Sequence, residues 1–254
     1  MQIKTTEAGR GAGWLLDGFD YFKRDPLTWI GVTILMFIIY FVLKWVPVLG
    51  ALASPILSPV FAGGLVLGCK AQDGGGELKV SHLFAGFTDH FAQLAILGLI
   101  YTVGLIAVVL IAMLGAALFG FNVGQLAGVA QSGDATQVSS NFGLFFIPIL
   151  IALGASVPLL MAVWFAPALI VLENLSATDA MKQSFNGCMA NIVPFLTYGL
   201  VGMVLAILAT IPLALGWLVL LPMVMASLYI GYKEIFASVA PTPALGDQGP
   251  GTKV

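Results

Sequence analysis

Six runs of this chain are each long and apolar enough to cross a lipid bilayer, and no other feature narrows its possible folds so far. A crossing helix needs about 20 predominantly apolar residues. The runs cover about 26–43, 46–69, 91–119, 142–172, 192–213 and 216–236. The rest of the chain cannot supply a soluble surface around them. Of its 254 residues, 59% are hydrophobic and 9% charged, where a soluble domain carries roughly 25% charged residues. The expected fold is therefore all-α: a polytopic membrane protein with six transmembrane helices. A net charge of −2 offers no basis for holding nucleic acid.

The distribution of basic residues predicts direction. Lys4, Arg10, Lys23 and Arg24 precede the first run; Lys70 and Lys79 lie between the second and third; Lys182 lies between the fourth and fifth; Lys233 and Lys253 follow the sixth. Cytoplasmic flanks are enriched in Lys and Arg. A cytoplasmic N-terminus thus places all of these inside and leaves only Lys44 outside. The segment 120–141, with Asp134 and no basic residue, is then the external loop, and both termini are cytoplasmic. The first 25 residues lack the apolar core of a secretory signal, so they are expected to be retained. The tail 237–254 reads as disordered by composition. Cys69 and Cys188 fall at the expected cytoplasmic boundary, where reducing conditions disfavour a disulfide. Run 46–69 contains Pro47, Pro55 and Pro59. It reads as a crossing helix, with a re-entrant hairpin as the alternative.

Three amphipathic stretches precede pairs of runs. "LLDGF" (15–19), "LFAGF" (83–87) and "MKQSF" (181–185) share their spacing. At 100° per residue, Leu15, Phe19 and Phe22 share a face, as do Leu83, Phe87 and Phe91, and Met181, Phe185 and Met189. Each stretch reads as a short helix lying in the interface. The hairpin ends also align: "PVFAGGLVLGCK" (59–70) with "PMVMASLYIGYK" (222–233), and more loosely "PLLMAVWFAPAL" (158–169). Pro59 pairs with Pro222 and Gly68 with Gly231, and Gly64 with Gly68 forms a small-xxx-small pair suited to close helix packing. The pattern predicts one membrane domain, 1–236, built from three units at about 13–70, 81–172 and 178–236. Chance likeness among apolar segments is the alternative. On the repeat reading, Phe19, Phe87 and Phe185 hold equivalent places, each against the hairpin it precedes.

Candidate chemistry is sparse. His82, Asp89 and His90 lack the i, i+4 histidine spacing of a zinc helix and read as surface polar residues. The glycine-rich stretches 9–13 and 73–77 lack the Lys-Ser/Thr ending of a phosphate loop. Away from their ends, where Lys44, Glu173 and Glu234 lie, the runs hold no Asp, Glu, Lys, Arg or His, so there is no proton path of the usual kind. Asn174, Asn186 and Asn191 read as cap or turn residues. The sequence predicts no catalytic, cofactor-binding or metal-binding residue.

The stretches "GWLLDGFDYFKRDPLTWIG" and "SPVFAGGLVLGCKAQDGGGELKVSHLFAGF" resemble a family of proteobacterial integral membrane proteins that has no established activity. More distantly, "ATDAMKQSFNGCMANIVPFL" (177–196) is similar to the segment before a span in the multi-pass membrane domain found with glycerophosphodiester phosphodiesterases. The resemblance implies a six-span inner-membrane protein and lipid association, and it brings no catalytic residue to this chain. The expectation is a non-enzymatic scaffold or accessory subunit whose partner is membrane lipid or another membrane protein. A transporter or channel for a lipid-like or small neutral solute is the alternative.

Overall fold

The computed structural model describes residues 2–118 and 142–236. The expected external loop, Asp134 with it, and the tail 237–254 lie outside the described residues. Among the described residues every regular element is helical. The elements are α1 (Arg10–Arg24), α2 (Pro26–Lys44), α3 (Pro47–Asp73), a 3-10 segment η1 (Val80–Phe87), α4 (Phe91–Leu118), α5 (Phe142–Trp164), α6 (Ala166–Glu173), α7 (Ala177–Ala190), α8 (Ile192–Thr210) and α9 (Trp217–Ile235). Six helical stretches are long and apolar enough to cross a membrane, with α5 and α6 together making the fourth. The chain is a polytopic membrane protein.

Local sequence accounts for the starts and stops. Asp25 caps α2 by accepting from the Thr28 N–H at 3.2 Å, with Pro26 at the first helical position, where its missing N–H costs nothing. Asn174 ends α6 in the left-handed region, at φ 55°, which asparagine tolerates better than most residues. The helix α3 carries Pro55 and Pro59 inside it but runs unbroken for 27 residues, about 40 Å at 1.5 Å per residue. That is a crossing length, and the re-entrant alternative falls away.

The bundle has an inner and an outer set of helices. The second spans α3 and α9 and the α6 part of the fourth span lie inside: α3, α6 and α9 pack on one another and bury Phe61, Leu65, Leu169, Ile170 and Ala226. The first spans α2, α4 and α8 lie outside and turn residues such as Phe41, Val103 and Leu196 outward, where lipid solvates them. Trp14, Phe165 and Phe236 are fully buried. Phe165 joins the other two, lying 5.7 Å from Phe195, itself 5.4 Å from Trp14, and 5.3 Å from Phe236.

The amphipathic stretches do not pack on the hairpins they precede. η1 lies on α3, α7 lies on α5 and α6, and α1 lies on α9 and α8. Each sits on the hairpin before it, and α1, first in the chain, closes onto the last. For α1 and α7, linker length supplies the reason. One residue, Asp25, separates α1 from α2, and one, Asn191, separates α7 from α8. Two antiparallel helices need a loop of about 2–5 residues to fold back on each other.

Candidate functional site

Three small residues seat the amphipathic segments. A methyl group added to Gly86 would overlap the Val60 carbonyl oxygen of α3, and one added to Gly18 would overlap the Met223 carbonyl oxygen of α9. Both carbonyls belong to the residue after a buried proline, Pro59 and Pro222. In α7 the matching position is Ser184, fully buried. Its hydroxyl accepts from the Phe165 N–H at 3.0 Å and donates to the Met161 carbonyl at 2.7 Å. In an unbroken helix that N–H and that carbonyl would bond directly. Pro167 interrupts the ladder here, and Ser184 spans the gap between α5 and α6.

The expected interfacial faces divide around these seats. Leu15, Phe22 and Leu83 are buried, whereas Phe19 and Phe87 are 38% and 39% exposed. Phe19 stacks on Phe22, and Phe87 lies among Phe61, Phe84 and Phe91. Phe91 belongs to the start of α4, not to the 3-10 segment. Met181 and Phe185 are half-buried and Met189 is exposed; the buried ridge of α7 is Ala177, Ala180, Ser184, Gly187 and Cys188. In η1 the difference is one of period. Residues three apart eclipse in a 3-10 turn, so Leu83 and Gly86 face inward together while Phe84 and Phe87 face outward. Gly64 and Gly68 are the floor beneath η1, under the His82 and Leu83 backbone and the Leu78 side chain, and Gly231 lies under the Phe165 and Trp14 rings.

His82 plays a structural part. Its Nδ1 accepts from the Lys79 N–H at 3.0 Å and caps η1. Burial, then the Lys79 charge, lowers its pKa from the ordinary value. Asn191, buried, accepts from the Thr6 N–H at 2.8 Å and donates to the Lys4 carbonyl at 3.0 Å. It thereby holds the N-terminal segment across the bundle, beyond the cap role read from sequence.

A layer of carboxylates closes the same end. Asp73, at the end of α3, accepts from the hydroxyls of Tyr21 (α1) and Tyr229 (α9) and pairs with Lys233. Glu234, near the end of α9, accepts from the Trp14 indole N–H at 2.8 Å and pairs with Arg10. Glu173, at the end of α6, accepts from the Tyr232 hydroxyl. Hydrogen bonding to Glu234 and Asp17 raises the Arg10 pKa further, so its guanidinium stays charged. Burial, then the Asp73 bond, raises that of Tyr21 and keeps the phenol protonated. Burial pushes the Cys188 thiol up to about 12, far from a reactive thiolate. These groups fix elements to one another. Glu173 and Glu234 stand out in the sequence as acids at span ends, whereas Asp73 reads there as part of a glycine-rich turn. The signal that marks all three is an acid at the end of each second span.

Beneath this layer, α2, α3, α4 and α9 enclose a cavity of about 490 Å3, within the size range of ligand pockets. Trp29, Met36, Leu65, Leu105, Leu221 and Met225 supply much of its apolar wall, and hydroxyls come from Thr33, Tyr40, Ser54, Ser58 and Tyr101. Among the described residues no acid, base or cysteine lines it. Phe37 and Ala51 line it and are also exposed on the outside of the bundle, so it reaches the lipid side. A smaller cavity of about 140 Å3 shares Ser58, Tyr101 and Met225 and extends inward to Pro167. Such walls can hold an apolar molecule with few polar atoms.

The chain is similar to a protein of Burkholderia thailandensis described as a probable inner membrane protein. The two are 27% identical over 268 residues, 95% of this chain and 96% of that one. No family model matches the chain, and no solved structure matches it.

Proposed function

We propose that this is a non-enzymatic accessory or scaffold protein of the bacterial inner membrane that holds a lipid inside its bundle. The observation that carries the reading is the cavity: apolar, ringed by hydroxyls, without ionisable groups and reaching the lipid side. The similarity to a probable inner membrane protein supports the compartment. The charged end carries Arg24, Lys70, Lys79, Lys182 and Lys233, and the preference of basic flanks for the cytoplasm supports an orientation with that end, and both termini, inside. Three units of amphipathic segment plus hairpin, each segment seated on the preceding hairpin, give the scaffold its closure. The alternative of a transporter has less support. Broken helices in transporters commonly present free backbone to a substrate, whereas Ser184 occupies the break at Phe165.

Native mass spectrometry of the protein taken directly from its own membranes tests this reading. The expected result is a chain that retains one lipid of defined mass. A chain that emerges bare, or purified protein that accelerates lipid exchange between the leaflets of vesicles, overturns it.

A further inference from the structure

We infer that the occupant of the larger cavity is one acyl chain of an ester-linked glycerolipid, with its ester carbonyl at Trp29; the inference rests on the lipid-holding reading above. Three observations lead to this occupant. The first is a donor without an acceptor. Trp29 lines the cavity and is 1% exposed, and its indole N–H has no hydrogen-bond partner among the described residues. At membrane depth water does not satisfy such a group. The Trp29 carbonyl accepts from the Thr33 hydroxyl, which leaves the indole as the open polar site at that level.

The second is depth. Trp29 is the fourth residue of α2, close to the boundary of the apolar span and hence to the level of lipid ester groups. The cavity follows α2 from Trp29 to Tyr40, 11 residues on and about 16 Å at 1.5 Å per residue. Half of a hydrocarbon core of about 30 Å is about 15 Å. A cavity that starts near the ester level and runs about one leaflet deep has the reach of a single acyl chain.

The third is the lack of charge. Met36, Leu105, Leu221 and Met225 give much of the wall its apolar character, and among the described residues the walls carry no charge that would recognise a headgroup. Recognition therefore rests on the ester and the chain, with the headgroup outside at the charged end.

Lipid retention by native mass spectrometry, with ester-linked and ether-linked phospholipids of equal chain length offered in competition, tests the assignment. The ether lacks the carbonyl acceptor and keeps the chain. Wild-type protein is expected to prefer the ester lipid by about tenfold, the ratio that 1.4 kcal/mol gives. Trp29→Phe keeps an aromatic ring, removes the N–H, and is expected to hold both lipids equally. Ser58→Trp fills the cavity and is expected to lose the lipid while still eluting as a folded monodisperse species. Equal wild-type retention of ester and ether lipid, a measurement that needs no variant to fold, overturns the carbonyl assignment. Undiminished lipid on a folded Ser58→Trp protein overturns the cavity as the site, and the lipid-holding reading then stands at another place. A wild-type chain that retains no lipid defeats both.

Discussion

The seat of η1 on α3 and the seat of α7 on α5 and α6 solve one packing problem in opposite ways. In the first, an intact helix receives a glycine. Gly86 lies so close to the Val60 carbonyl that no side chain fits. In the second, a broken helix receives a hydroxyl, and Ser184 replaces the missing rung between Phe165 and Met161. The first contact depends on the absence of atoms and the second on their presence. The seat of α1 on α9, with Gly18 over Met223, is of the first kind.

The largest effect expected is at the glycine seats. Gly86→Val and Gly18→Val force a side chain into a backbone carbonyl. They should destabilise at or above the upper end of the ~1–3 kcal/mol typical of overpacking, read as loss of monodisperse protein and a lower melting temperature in detergent. A neutral outcome at both would end the comparison. Ser184→Ala should cost about 1–3 kcal/mol, because it strands a buried N–H and a buried carbonyl. The exchange Gly86→Ser with Ser184→Gly sharpens the contrast: interchangeable seats would tolerate it, and these are expected to fail at both ends.

Smaller effects come from the carboxylate layer. Asp73→Asn weakens contacts to Tyr21, Tyr229 and Lys233. With 24% of the Asp73 side chain exposed, solvent screening leaves about 1 kcal/mol of the value usual for bonds to charged groups. Glu173→Gln weakens the single hydrogen bond from Tyr232 found among the described residues and should cost under about 1 kcal/mol. Thermal unfolding of both variants side by side orders them, and the reverse order would refute the view of Asp73 as the hub.

The smallest effect is with pH, and it belongs to the η1 seat. His82 has a folded pKa below its ordinary value, so the unfolded chain binds the proton first. Its contribution to stability is complete above about pH 6.5. It declines as the pH falls through that value towards the lowered folded pKa, because protonated Nδ1 no longer accepts from the Lys79 N–H. The melting temperature of the wild type relative to His82→Gln should therefore drop between about pH 7 and pH 5, since Gln removes the titration. A relative rise on acidification would contradict the cap.

The six spans were legible because a bilayer demands a length and a composition, and a single sequence displays both. The end of α2 differs by a residue from that read off the hydropathy pattern. The fourth run carries Pro148, Pro158 and Pro167, of which only Pro167 sits at the break, and what closes the break leaves no linear sign: Ser184 reads from sequence as an ordinary member of an amphipathic stripe. The glycine of "LFAGF" was visible as a repeat position. The carbonyl it meets was not, because it comes from a different hairpin. The cavity left no linear signal at all. Its walls come from four helices, and its lining residues look like any other apolar or hydroxyl residues of a span. Trp29 stands out only when the absence of a partner can be checked in three dimensions.

Sequence alone determined that this chain is helical and crosses a membrane six times, since hydrophobic transfer depends on each segment by itself. It also marked three amphipathic stretches, because helical periodicity is a local property. Tertiary structure decided which hairpin each stretch covers, that one of them is a 3-10 turn, and that Asp73, Glu173 and Glu234 form one closing layer. It also decided where a cavity remains. Those outcomes turn on linkers of one residue, on contacts between backbones far apart in the chain, and on space left unfilled between helices, none of which is a property of any single segment.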